Sequence, residues 1–322
     1  MKKKGAIKIN GRELMVMGII VVMIAVFSLI SSTFRTYPTL VSVLDSMYYV
    51  TLMAIGVTFP LITGGVDLSI GTGLVCYALV GGYTVIHMGM PVGVGIAVAI
   101  LMGVLIGLLN GVLVAIMDLP PFLATLCTCM ITRGLGPALC GGFGISWPSA
   151  LSDQGAFRKI FKFTNANGTV IPVGIIAIVV LVIVMSFVLN HTKVGRYTIA
   201  IGSNKEATRL AGVNVKFYHV FAYVICGFFA GLAGVAYSAT YATIYPGAGA
   251  GFEMDAIGGA IVGGVSASGG SGTIFGAFLG VIVISLLKIG LPFIGLQANW
   301  QQIFTGLVLL GAVLIDVVKK KK

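Results

Sequence analysis

Apolar positions run almost unbroken along this chain and are separated by short polar stretches. Leu68 to Met117 is 50 residues without Asp, Glu, Lys or Arg, Phe217 to Phe252 is 36, and Ala256 to Leu287 is 32. These runs are apolar all round rather than alternating, so they predict membrane-spanning helices and not the strands of a membrane barrel. At about 20 residues per crossing, the pattern predicts helices near residues 14–32, 46–63, 70–88, 91–117, 122–140, 171–190, 217–243, 256–266, 273–293 and 297–317. The stretch 256–266 is short and Gly-rich, and reads as a crossing, a half-helix or a re-entrant segment sheltered by protein or a water-filled path. The expected fold class is all-α, a polytopic membrane helix bundle of about ten transmembrane segments with Gly-rich broken or re-entrant segments. It forms a single domain over 1–322, with 14–317 membrane-spanning.

Composition supports lipid as the solvent. Of 322 residues 58% are hydrophobic and 9% charged, against about 25% charged in soluble domains. Glycine, 46 residues, fits close helix packing and breaks in helices along a transport path. The net charge of +11 does not indicate nucleic acid, because the basic residues cluster beside the predicted spans. Lys2, Lys3, Lys4, Lys8 and Arg12 precede the first run, Lys193, Arg196, Lys205, Arg209 and Lys216 share one central segment, and Lys319 to Lys322 end the chain. That pattern predicts a multi-pass protein of the cell (inner or cytoplasmic) membrane, with both termini and residues 191–216 cytoplasmic. Arg158, Lys159 and Lys162 run against the rule in a loop, 141–170, predicted to be external. The first run, Leu14 to Ile30, is longer than a signal-peptide core and reads as a retained anchor.

Candidate chemistry is sparse. No paired carboxylates, Ser/His pair, H-E-x-x-H or P-loop is present, so no catalytic residue and no ATP site are assigned. Cys76, Cys127, Cys129, Cys140 and Cys226 lie in apolar segments and suggest neither a disulfide nor a metal site. Few ionisable groups fall within spans. Arg133 could snorkel or line a cavity and Lys288 could snorkel to an interface, while the shortage argues against ion coupling. Two Gly-rich breaks, Gly64-Gly65-Val66-Asp67-Leu68-Ser69 and Gly263-Gly264-Val265-Ser266-Ala267-Ser268, share G-G-V-x-x-S, through internal duplication or chance. Asp67, Ser69, Asn110 and Thr125 are candidates for a translocation path or for hydrogen bonds between helices. In the central segment Gly202 reads as a hinge, Asn204 as an N-cap, Lys205 to Ala211 as a short helix and Gly212 as its stop. That helix is either a simple link or a peg for a cytoplasmic partner.

Residues 195–213 resemble the cytoplasmic loop of ABC importer permeases of the ribose/xylose/arabinose type. Three further segments resemble the same family: Leu61 to Gly71, with its G-G-x-D-L-S-x-G; Pro120 to Leu126 followed by Arg133-Gly134; and Asp255 to Thr273 with its glycines. The resemblance implies a permease subunit of a binding-protein-dependent importer for a monosaccharide such as ribose, and not an enzyme. It implies a coupling loop over 191–216, with Gly202, Asn204, Glu206, Ala207, Arg209, Leu210 and Gly212 contacting the ATPase. The implied partners are a second permease copy or homologous permease, a cytoplasmic ABC ATPase that carries ATP and Mg, an external substrate-binding protein and membrane lipid, with no cofactor on this chain. Lys205 and Thr208 depart from the family pattern. A permease for branched-chain amino acids or nucleosides, and an ion-coupled carrier, are the alternatives.

Overall fold

The computed structural model describes residues 11–165 and 168–320. The basic residues Lys2, Lys3, Lys4, Lys8, Lys321 and Lys322 lie outside the described residues, as do Ala166 and Asn167 of the 141–170 loop. Twelve helices are described: α1 (Gly11–Ile30), α2 (Tyr37–Ile62), α3 (Ile70–Ile86), α4 (Val92–Ala115), α5 (Pro121–Leu139), α6 (Gly174–His191), α7 (Lys193–Ser203), α8 (Lys205–Leu210), α9 (Val215–Thr240), α10 (Phe252–Val262), α11 (Ile274–Gly290) and α12 (Ala298–Lys320). Strand is confined to two-residue pairs, of which β1 (Ile145–Ser146) and β4 (Thr243–Ile244) are antiparallel, as are β2 (Phe163–Thr164) and β3 (Val170–Ile171).

Seven of these helices are long and apolar enough to cross a membrane. The apolar parts of α3 and α12 are shorter. At eleven residues, α10 rises about 16 Å against a hydrocarbon core of about 30 Å, so it is a half-length helix and not the crossing that 256–266 could have been. Helix α2 begins nine residues earlier than the apolar pattern suggested, because Pro38 fits the first turn and Thr39 anchors to the carbonyl of Thr33 at 3.0 Å.

Helices α2 and α9 form the centre, their buried residues making one continuous apolar cluster with α3, α10 and α11. Helix α4 reaches α9 through small residues spaced four apart. A Cβ at Gly111 would stand 2.8 Å from the Val220 carbonyl oxygen, and at Gly107 it would overlap that of Tyr223. Backbones this close leave room only for glycine, the packing mode that replaces hydrophobic driving force inside lipid.

The 141–170 loop is a folded cover rather than an open surface. Trp147 is buried and its indole N–H donates to the Ala78 carbonyl at 2.9 Å. Arg158 is buried and its guanidinium donates to the carbonyls of Trp147, Pro148, Ala239 and Tyr241, while burial holds its pKa below the usual arginine range. Lys162 pairs with Asp45 at 2.6 Å. Arg158 and Lys162 therefore tie the loop to α9 and α2.

Candidate functional site

The central segment holds two helices where one was expected. Thr192 caps α7, its hydroxyl accepting from the Gly195 N–H at 3.4 Å, and α7 buries Gly195, Thr198 and Ile201 while Lys193 and Arg196 face outward. Asn204 then turns the chain: its side-chain oxygen accepts the Ala207 N–H at 2.9 Å and starts α8. Gly212, at φ +80°, ends it. The Gly212 N–H donates to the Arg209 carbonyl at 3.0 Å and the Val213 N–H to that of Thr208 at 3.4 Å, a Schellman stop. Thr208 is buried, so α8 is pinned on one side and presents Glu206, Ala207, Arg209 and Leu210 on the other. Leu210 is 79% exposed. Glu206 and Arg209 pair at 3.0 Å, but both are well exposed, so the pair contributes only about 0.3–0.5 kcal/mol to the helix.

Gly202 is not a hinge. It lies within α7, and a Cβ there would overlap the Ile62 carbonyl oxygen and stand 2.6 Å from the Gly270 N. Ile62 is the last residue of α2, and its carbonyl accepts the Gly270 N–H at 2.8 Å. Gly270 belongs to the break between α10 and α11, and the Ser203 hydroxyl donates to its carbonyl at 3.4 Å. The end of α7 thus touches both Gly-rich breaks at one point.

The two breaks share a backbone form, one residue out of register with their sequence match. After α2, Gly64 (φ +86°) donates to Leu61 and Gly65 to Pro60, each at 2.9 Å. After α10, Gly264 (φ +97°) donates to Ile261 and Val265 to Ala260, each at 2.9 Å. Gly64 therefore corresponds to Gly264 and not to Gly263. The geometry is that of a helix stop requiring a left-handed residue at its third position, and the shared G-G-V letters are displaced from it.

Beyond the first break, Asp67, Ser69 and Asn110 form one buried network. Asp67 accepts from the Ser69 N–H at 2.9 Å, from the Ser69 hydroxyl at 2.6 Å and from the Asn110 amide at 3.3 Å to both oxygens. Asn110 also donates to Ser69 at 3.0 Å and accepts from Thr128 at 2.7 Å. Thr125 stands apart, donating to the Pro121 carbonyl at 2.8 Å and to that of Val66 at 3.4 Å. Thr128, which joins α5 to the network, was missed from sequence, although its place one turn after Thr125 on the same helix face was a signal.

One expectation about charge is corrected. Lys288 does not snorkel: it pairs with Asp255 at 2.6 Å across α11 and α10 and lies 5.0 Å from the Phe252 ring centre. All five cysteines are free, with Cys127 exposed and Cys129 buried on diverging faces, and no group of three or more His, Cys, Asp or Glu that could hold a metal occurs among the described residues.

A family model described as the permease component of branched-chain amino acid transport systems matches residues 39–313. The ribose import permease protein RbsC of Escherichia coli K12 is 34% identical over 299 residues, 92% of this chain and 91% of that protein. RbsC of Bacillus subtilis 168 is 33% identical over 296 residues, 92% and 89%. The fructose import permease protein FrcC of Rhizobium meliloti is 30% identical over 284 residues, 86% and 77%. No solved structure matches the chain. A model covering most of the chain, relatives aligned along nearly their whole length, and an apolar helix bundle with a capped polar segment agree: this chain belongs to the branched-chain amino acid transport system permease family, and is a multi-pass membrane transport subunit rather than an enzyme.

Proposed function

We propose that this chain is the membrane permease of an ATP-driven, binding-protein-dependent importer for a monosaccharide such as ribose. The observation that carries this reading is the contact of α7 with both helix breaks, which gives an externally driven movement a direct route into the bundle. The names of the similar proteins, ribose and fructose import permeases, support the sugar. In this reading residues 191–216 and both termini are cytoplasmic, α8 docks on an ABC ATPase through Glu206, Ala207, Arg209 and Leu210, and Gly212 and Asn204 hold its two ends. ATP and Mg act on that ATPase, an external protein delivers the sugar, and a second permease completes the pair. Closure of the ATPases moves α8 and, through Gly202, the breaks, so that inward and outward states make different contacts.

The test uses membranes that express the chain with its partner subunits. Glu206→Arg reverses an exposed charge whose intramolecular pair is weak, so membrane content should stay at the wild-type level while ribose uptake falls at least tenfold. In the same membranes and an otherwise Cys-free chain, impermeant thiol reagents should label a Cys at Ser152 from outside and one at Ser203 from inside. Undiminished uptake, or labelling of both positions from one side, would refute the assignment.

A further inference from the structure

Arg133 is exposed on α5, two turns in from the outer end of a helix that spans the membrane. Among the described residues its guanidinium has no hydrogen bond or ion pair. An ionised side chain left unpaired on a spanning helix is costly against lipid, and such residues face protein or water. Beside it the chain builds a small pocket of mixed polarity. Thr72 at the start of α3 shares a hydrogen bond with Thr132 at 2.8 Å and donates to the Cys129 carbonyl at 3.0 Å. The segment Pro246 to Ala250 forms the opposite wall.

Two helices begin at this place. A Cβ on Gly71, in the first turn of α3, would stand 2.7 Å from the N of Glu253, in the first turn of α10. Glu253 places one carboxylate oxygen at 3.3 Å from the Gly251 N–H, while the other, Oε2, is buried with no hydrogen-bond partner and feels the charge of Arg133. The cluster thus combines a free guanidinium, an acceptor without a donor and two threonine hydroxyls. Adjacent hydroxyls on a polyol match that set, since one can donate to the carboxylate while another accepts from the guanidinium.

We propose that Arg133, Glu253, Thr72 and Thr132 form a monosaccharide-contact site on the transport path. The inference rests on the sugar-importer reading and places the contact on the α5 face instead of in the Asp67 network. The cavity holds about 10 Å³, room for one water, so sugar enters only when the Pro246 to Ala250 wall and the α10 start withdraw. The far end of α10 is the second break, which the coupling segment touches through Gly270, so the same movement opens the site.

Gly134 lies next to Arg133, is exposed, and has nothing within 4 Å of an added Cβ. In a Cys127→Ser chain, whose other cysteines are buried, Gly134→Cys should react with an impermeant methanethiosulfonate added in water. Reaction with lipid-soluble maleimide alone would overturn the site. In the assembled importer, Arg133→Gln should lower radiolabelled ribose uptake at least tenfold with ATP hydrolysis retained, and Arg133→Lys should recover part of it. Wild-type uptake by Arg133→Gln would overturn the contact. An importer that ignores ribose counts against the sugar reading, and the thiol reactions then decide the site independently.

Discussion

Replacing Gly202 with Ala should abolish sugar uptake, reducing it at least tenfold, while leaving the chain in the membrane at near wild-type levels. The added methyl would overlap the Ile62 carbonyl oxygen and press on the Gly270 N. Both are backbone atoms, so no rotamer change relieves the contact. Overpacking of this kind costs about 1–3 kcal/mol, small beside the packing of the twelve described helices but concentrated on the one point where α7, the α2 end and the second break meet. The expected result is separation of the two activities: the assembled complex hydrolyses ATP but moves little sugar per ATP. Ser203→Ala is the matched control, since it removes only the 3.4 Å bond to Gly270 and the hydroxyl's bond within α7, and should keep uptake within about twofold, given roughly 0.5–1.5 kcal/mol per ordinary hydrogen bond. Wild-type uptake by Gly202→Ala would remove the junction from the mechanism.

Asp67→Leu should nearly eliminate uptake and lower stability. The substitution leaves the Ser69 N–H and an Asn110 N–H without the acceptor they share. Each unsatisfied buried donor costs about 1–3 kcal/mol, and the loss falls where α3 starts, so the break itself should loosen. Asp67→Asn keeps an oxygen for the Ser69 N–H and should reduce uptake only moderately. Uptake by purified variants in vesicles, compared with their thermal unfolding in detergent, separates the contributions. A Leu variant with normal uptake and normal unfolding would show that the break does not depend on this side chain.

The elements that local chemistry dictates were readable from the sequence, and the contacts between distant segments were not. Asn204 and Gly212 announced the ends of α8 because capping needs only residues three or four positions apart. The same rules suggested a hinge at Gly202, a glycine just before Ser203 and the cap residue Asn204. Its real constraint comes from Ile62 and Gly270, far away along the chain. The G-G-V match of the breaks pointed to related geometry, but letters align by identity and helix stops by the left-handed residue, so the register came out one position wrong. Lys288 and Asp255 are 33 positions apart and meet only because α10 and α11 fold back on each other. The place of Arg158 was hidden for the same reason: four carbonyls from two segments hold it.

The central claim, that ATP closure outside this chain drives sugar through it, is tested most directly by uptake into sealed vesicles. The chain is reconstituted with its ATPase, ATP and Mg²⁺ are trapped inside, and the sugar-binding protein loaded with radiolabelled ribose is added outside. The account predicts that accumulation requires the trapped ATP and is unchanged when ionophores collapse proton and sodium gradients. Accumulation without ATP, driven by either gradient, would contradict it.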